Sequence, residues 1–544
     1  MVHKKQLSDT KKLAVNKAIE LMSEGKIKDS INLISKNFSK TNDIYLFFKG
    51  WQYQLQNNHQ LAIKYFENSL LKNPIKEDAL IGLAASYLEL GDYSRAVECA
   101  EQALLINSES AQALLTLATA ISKQNVTNNK NQNEAILYLE KALKIASNSV
   151  YNKTLIVDII TAIGACYMNL KNPEVAEIVL ERAIAIDEFN IVANKNLASV
   201  YASLCKIDKA IRCSQLAQMT DINSDRLDAI YQEGMLQLLN KNYIKGWRLH
   251  ESRLYTAKYS QKDLLVAPPL NINALTEHDS VLLFQEQGIG DFLQFSRYIP
   301  LISKITKNID LVILPNTYLN MNTEVPSIKQ FVEYNFGEYI NRVLVKSVDK
   351  IHKDYTYASS LMSLPYIFKS NEKTIPSILP FKTDKVLNID KTGLIVGIFY
   401  KGSSHHSNDY NRSIPVTYID DFISYNEDVT FVNLQLENTL SSHSNVIHYD
   451  NEGLDNTLAI MNNCDLVITV DSMIAHLSAG AGINTFILHA YSPDWRWGIS
   501  QENSEWYPSV TNIRQKNIGN WDSVFENVQQ RLNQLKNKLT VAKK

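Results

Sequence analysis

An apolar run ends abruptly within "SVLLFQEQGIGDFLQFSRYIPLI", residues 280–302, and a helically spaced one begins at once. Between them sit Gln287, Gly288, Gly290 and Asp291. Two glycines and a carboxylate at a strand-to-helix passage can cradle a phosphate, pack a turn, or seat a catalytic base. A dinucleotide loop reads G-x-G-x-x-G, with a third small residue for helix packing. Leu293 holds that third position, and the Asp291 carboxylate would repel a phosphate. The glycines are therefore expected to shape a tight turn that aims Asp291 into a cleft, beside Gln287 and Gln294. Aspartate also suits a plain helix cap, and that reading stays open.

Further along, polar residues gather directly after apolar runs. "DLVITV" leads into "DSMIAHLSAGAG". Asp471 or Ser472 would cap a helix whose free N–H groups suit an anion such as a diphosphate, and His476 lies on the first turns of the same helix. "LIVGIFY" leads into "KGSSHHSNDYNRSIP", a cation-bearing loop with Lys401, Ser403, Ser404, His405, Asn408 and Arg412. Gln435 lies near the end of "VTFVNLQL", and Asp494, Trp495 and Arg496 follow "NTFILHA". A tryptophan there fits a core as well as a ligand platform. His405 and His406 are adjacent in a loop and make poor joint ligands without a third. No metal is expected.

The elements that must position these residues are continuous apolar runs separated by helical segments. "SVLLF", "IDLVILP" and "RVLVKS" form one series; "LIVGIFY", "VTFVNLQL", "CDLVITV" and "NTFILHA" form another. Such runs predict parallel strands covered on both faces. Two Rossmann-like domains are expected, over 279–388 and 389–535, with ligands outside the carboxyl ends of the strands. A Pro-containing linker is expected over 256–278 and a solvated basic tail over 536–544.

Residues 1–255 read differently, as a repeat. Gly50, Tyr53, Ala62, Phe66 and Pro74 recur in kind as Ala84, Tyr87, Ala96, Ala100 and Ala103. The series continues through Leu117, Ala118, Ala135 and Ala142; Gly164, Tyr167, Ala176 and Ala183; and Leu197, Ala198, Tyr201, Ala210 and Ala217. A period of about 34 residues indicates helix-turn-helix units. "KQNVTNNKNQN" lengthens the third turn, and degenerate units are expected over 10–42 and 225–255. Small residues let paired helices approach, and the aromatic fills the gap to the next pair. The fold class is α plus α/β: a repeat superhelix followed by two Rossmann-like domains facing across a cleft.

Composition narrows the function. The 544 residues are 45% hydrophobic with a formal net charge of -2, so no basic surface for nucleic acid is expected. Five cysteines form no CxxC pair and read as reduced packing residues. The run "MVHKKQLSDTKKLAVNK" lacks a signal-peptide core, and no window reaches the ~18 apolar residues of a membrane span. A cytoplasmic protein without a transmembrane segment is expected.

The repeats resemble the tetratricopeptide repeat family over roughly residues 1–255. "EQGIGDFLQFSRYIP", "NDYNRSIP", "VDSMIAHLSAGAG" and "PDWRW" with "WYPS" and "RQ" beyond it resemble the bacterial tetratricopeptide-linked relatives of the heptosyltransferase family. That resemblance covers about 279–535, and "NYIKGWRLHESR" is similar to the usual end of the repeats. It implies a metal-independent GT-B glycosyltransferase, similar in layout to protein O-GlcNAc transferases, using a nucleotide sugar as substrate and no cofactor. It implies a base at Asp291, diphosphate binding by Asp471, Ser472 and His476, and hydroxyls and a cation from Ser403, Ser404 and Arg412. Tyr400-Lys401-Gly402 stands where the family has Trp-Ala-Gly, and Ile483-Asn484 where it has Lys-Pro, so the nucleotide stays unassigned. The expected acceptor is a protein or peptide in the repeat groove, flagellin or another surface protein among the candidates. The alternatives are a scaffold with an inactive transferase half, an enzyme acting on lipopolysaccharide or another glycan, and repeats that serve self-association.

Overall fold

The structure, a computed structural model, describes residues 8–148, 152–219, 223–256, 259–315, 326–346, 348–352, 354–389, 393–403, 408–436, 440, 442–449 and 453–542. The chain divides into two compact units, Met1–Tyr201 and Ala202–Lys544.

The first unit is a stack of helical hairpins: Asp9–Ser23 with Ile27–Asn37, Asp43–Leu55 with His59–Lys72, Glu77–Glu89 with Tyr93–Ile106, Ala111–Gln124 with Asn129–Ser147, and Lys153–Asn169 with Pro173–Ile186. Short polar side chains start many of these helices. Asn58 accepts from the Leu61 N–H at 3.2 Å, Asp92 from Arg95 at 3.2 Å and Ser110 from Ala113 at 3.2 Å. Each such cap contributes about 1 kcal/mol. The repeat's small residues are where the helices meet: Ala62, Ala84, Ala96, Ala118 and Ala176 are fully buried. A Cβ on Gly50 would stand 2.7 Å from the Phe66 ring, and one on Gly82 2.6 Å from the same ring. Phe66 therefore wedges between its own hairpin and the next, and both partners must lack a side chain.

The second unit opens with the helices Ile207–Ala217, Asn223–Leu239 and Tyr243–His250 and continues into two sheets. The first sheet holds β1 (Val281–Phe284), β2 (Ile309–Ile313), β3 (Arg342–Val345) and β4 (Tyr357–Ser360), in the order β3-β2-β1-β4. The second holds β5 (Leu394–Phe399), β6 (Val429–Asn433), β7 (Val446–His448), β8 (Leu466–Val470), β9 (Thr485–His489) and β10 (Val510–Arg514), in the order β10-β9-β8-β5-β6-β7. Every pairing between these strands is parallel. β1, β2, β8 and β9 are buried throughout, as parallel strands covered on both faces must be. Strand order reverses between β1 and β4 and between β5 and β8. Ligand crevices in open parallel sheets form at such reversals; the loops after β1, β5 and β8 carry candidate residues, as do those after β6 (Gln435) and β9 (Asp494, Trp495, Arg496).

Three elements depart from expectation. β4, β7 and β10 are not among the apolar runs: "YASS" and "VIH" are too short and polar to stand out, and "VTNIR" alternates. The segment expected as a linker is packed: Leu264, Leu270 and Leu275 are buried, and the Ala358 N–H donates to the Pro268 carbonyl at 2.9 Å. Its apolar residues are covered by the first sheet, so it cannot swing freely. The segment expected as a solvated tail, 536–544, is helical as far as Ala542. The helix Asp522–Ala542 carries Lys536 to Asp428 at 2.7 Å and to Asn426 at 2.9 Å.

Gly50→Ala tests the wedge. Alanine in a helix interior normally gains up to about 1 kcal/mol over glycine, but the Phe66 ring must move to admit the methyl, which costs about 1–3 kcal/mol in a packed core. Urea unfolding is expected to show net destabilisation, whereas a gain in stability would mean that the ring yields freely.

Candidate functional site

Asp291 lies in the first turn of the short helix Ile289–Phe295. Its carboxylate caps nothing: the cap position is Gly288, and no side chain bonds to that helix start. Instead it pairs with the Arg496 guanidinium from the loop after β9. Neither Gly288 nor Gly290 has a left-handed backbone, so the expected tight turn is not what requires glycine there. Gly290 serves close approach: a Cβ on it would stand 3.0 Å from His476 Cδ2 and 3.7 Å from Met473 Cα. Through it, the helix after β1 meets the helix Met473–Gly480 after β8.

Arg496 is the hub. Besides Asp291 it donates to Asp494 Oδ1 at 2.8 Å and to Gln294 Oε1 at 2.8 Å, and its guanidinium lies 4.3 Å from the centre of the Trp495 ring. Arg412 reaches from the loop after β5 to the Asp471 carbonyl at 2.9 Å, while Asp409 holds its Nε at 3.2 Å. The Asp471 carboxylate accepts from Trp497 Nε1 at 2.8 Å. Ser472 occupies the cap position of the Met473 helix with its hydroxyl 3.2 Å from that of Thr469, not on the helix N–H groups. Gln435 donates to the Lys401 carbonyl at 3.0 Å, joining the loops after β6 and β5. Lys401 and Ser403 are exposed and Asn408 is half-buried before the helix Asp409–Arg412. Ser404 and His405 lie outside the described residues. Gln287 contributes its carbonyl, which accepts from Gln285 at 2.9 Å.

Two expectations change on packing grounds. His476, expected to meet a diphosphate in the cleft, is 4% exposed, stacked 5.2 Å from Trp497, with Nδ1 2.9 Å from the Tyr507 hydroxyl. Burial, with Arg496 and Arg297 nearby, pushes its pKa well below the ordinary value. It is a neutral imidazole and offers no charge to an anion. Trp495, expected as a cleft residue, is core: it packs edge-on against Trp247 at 5.2 Å and beside Phe295 and Trp506.

The carboxylates are held out of water. Burial pushes the Asp291 carboxyl above its usual range, against the opposing pull of Arg496. Burial and the neighbouring Asp494 push Asp471 to about 6. Burial works against the Arg496 charge as well, yet Asp494 and Asp291 hold it protonated. Two carboxylates, Asp291 and Asp494, share one deeply placed guanidinium.

A second ionic centre is absent from the sequence-based expectations. Glu286, directly after β1, is clasped by Arg253 through two bonds of 2.8 and 2.9 Å and by the Ser360 hydroxyl at 2.6 Å. Arg253 also donates to Ser363 at 2.9 Å. The only signal is a glutamate inside an apolar stretch, and an arginine in "HESR" just past the helix Tyr243–His250.

Among known proteins, two stretches match models described as tetratricopeptide repeat, residues 54–123 and 157–190. Repeats of this kind suggest a protein-interaction scaffold over those stretches. No curated protein matches the chain. A thermophilic TPR protein of Thermus thermophilus is 20% identical over 35% of this chain and 98% of its own, at a TM-score of 0.32. PilF of Pseudomonas aeruginosa is 17% identical over 41% and 95%, also at 0.32. A Rap protein in complex with competence and sporulation factor is 19% identical over 46% and 75%, at 0.36. Among the described residues no helix is long and apolar enough to cross a membrane.

Asp471→Asn tests the electrostatics of the cluster. Asparagine can still accept from Trp497, so the change removes charge and little else. A carboxyl whose folded pKa is raised stabilises the fold below its unfolded value, near 3.8, and that contribution is lost as pH climbs through about 6. The parent is therefore expected to lose up to about 3 kcal/mol relative to the variant between pH 4 and pH 7. Parallel denaturation curves at the two pH values would contradict a raised Asp471.

Proposed function

We propose that the chain is a cytoplasmic glycosyltransferase of GT-B layout that moves a sugar from a nucleotide-linked donor to a hydroxyl on a protein held by the repeats. One observation carries this reading: a base-type carboxylate after β1, where the first sheet reverses strand order, meets a guanidinium from the loop after β9 of the second sheet. Asp291 takes the proton of the acceptor hydroxyl as that oxygen bonds to the anomeric carbon. The bond from that carbon to the donor phosphate breaks, and the nucleoside diphosphate leaves with the electron pair. Negative charge then grows on the phosphate, where preorganised donors count most. Arg496, Arg412, Lys401 and the N–H groups of the Met473 helix are the candidate donors. His476 acts indirectly, packing the Trp497 and Tyr507 side chains that border the site.

Arg496 would have two duties. Without donor, it neutralises Asp291 and Asp494. A diphosphate competes for its N–H groups, loosens its hold on Asp291 and leaves that carboxylate more basic. Donor binding would thus arm the base.

A scaffold with an inactive transferase half is the second reading. It is favoured by the Asp291 carboxylate being already engaged by Arg496 and by the burial of His476. The two separate by calorimetry of the full chain against a panel of UDP-, GDP- and ADP-sugars, with transfer from a radiolabelled donor to extract proteins. At least one donor is expected to bind. Arg496→Gln should weaken it by about 1–3 kcal/mol, while Asp291→Asn should bind it normally and transfer ~10²–10⁴-fold more slowly. Absence of binding across the panel would favour the scaffold, and an Asp291→Asn rate within a few-fold of the parent would remove the base.

A further inference from the structure

A groove elsewhere in the second unit shares no lining residue with this cluster. Of about 470 Å³, it runs between the helix Tyr243–His250, the 269–273 segment and the helix Leu364–Ile367. Buried Trp247 and Leu270 form its floor, and exposed Ile244 and Tyr366 its sides. Its size falls within the ~300–1,000 Å³ of small-ligand sites.

The charged groups lining it are of one sign, beside the neutral side chains of Asn271 and Asn273. Among the described residues, Arg248 and Lys369 are its only charged ones, and no carboxylate lines it. Neither cation has an ion pair or a side-chain hydrogen bond among the described residues. Trp247 Nε1, on a side chain only 1% exposed, is a buried donor without an acceptor. Guanidinium, ammonium and indole N–H all donate and none can accept. Lys369 also holds φ at 50°, a left-handed backbone that a non-glycine residue adopts at a cost. The lysine-rich ends of this chain carry the wrong sign to fill such a groove.

We infer that this groove binds an organic anion with an apolar body, its acid group meeting Arg248 and Lys369 while the body covers Ile244 and Tyr366. The site is independent of any sugar transfer. Anilinonaphthalene sulfonate has this chemistry, and phenylnaphthylamine is its uncharged counterpart. Fluorescence titration of the full chain is expected to give one saturable site for the sulfonate. Arg248→Ala with Lys369→Ala, both at exposed positions, should weaken it tenfold or more and leave the amine unchanged. Ile244→Asp should weaken both probes. A sulfonate that does not saturate, or one that binds the double variant as it binds the parent, would overturn the inference.

Discussion

A guanidinium withdrawn from water must meet carboxylates, or its desolvation goes uncompensated. Arg496 sets this constraint for the second unit. It is mostly buried, on the loop after β9, and its partners Asp291 and Gln294 belong to the helix after β1. The ends of the two sheets are therefore joined by charge as well as by packing. The same demand explains Gly290. A Cβ there would meet His476 Cδ2 at 3.0 Å, so the helix after β1 or the His476 ring would have to give way. Ion pair and glycine contact are two conditions on one distance.

The helices that precede the sheets are bound in by a comparable device. Arg253 brings a second buried guanidinium to Glu286, two residues past the end of β1, and the Ser360 hydroxyl at the end of β4 completes the shell. Trp247 adds apolar weight, meeting His250, Phe295, Trp495 and Trp506 within 6.3 Å. Residues 243–255 therefore belong to the body of the second unit.

Legibility in the sequence follows the range of the forces involved. The hairpins of the first unit can be read because their packing is local: Gly50 and Phe66 lie sixteen positions apart within one period, and their sizes alone predict contact. The long apolar strands can be read because burial on both faces leaves a continuous run. β4 cannot, since "YASS" is an edge strand whose only strand partner is β1 and it contributes small residues. The loops are correctly marked as holding polar residues at strand ends, but their pairings are not legible. Asp291 and Arg496 are 205 residues apart, and no periodicity links them. His476 is misjudged for a related reason: its place near a helix start suggests an anion, and only the surrounding Trp497 and Tyr507 decide that the ring is dry.

Phe66 wedged between Gly50 and Gly82 also has a bearing on cooperativity. One ring serves two hairpins, so neither can open without exposing the other's face. In a stack of this kind stability is close to a sum of hairpin terms and nearest-neighbour terms. An interior hairpin is held by two interfaces, whereas among the described residues the hairpin Asp9–Ser23 with Ile27–Asn37 meets one neighbour, Asp43–Leu55. Opening there sacrifices a single interface and leaves the Phe66 contacts intact. Amide protons of the first hairpin should therefore exchange with solvent well before those around Phe66, giving the first unit a gradient of local stability instead of a single melting event.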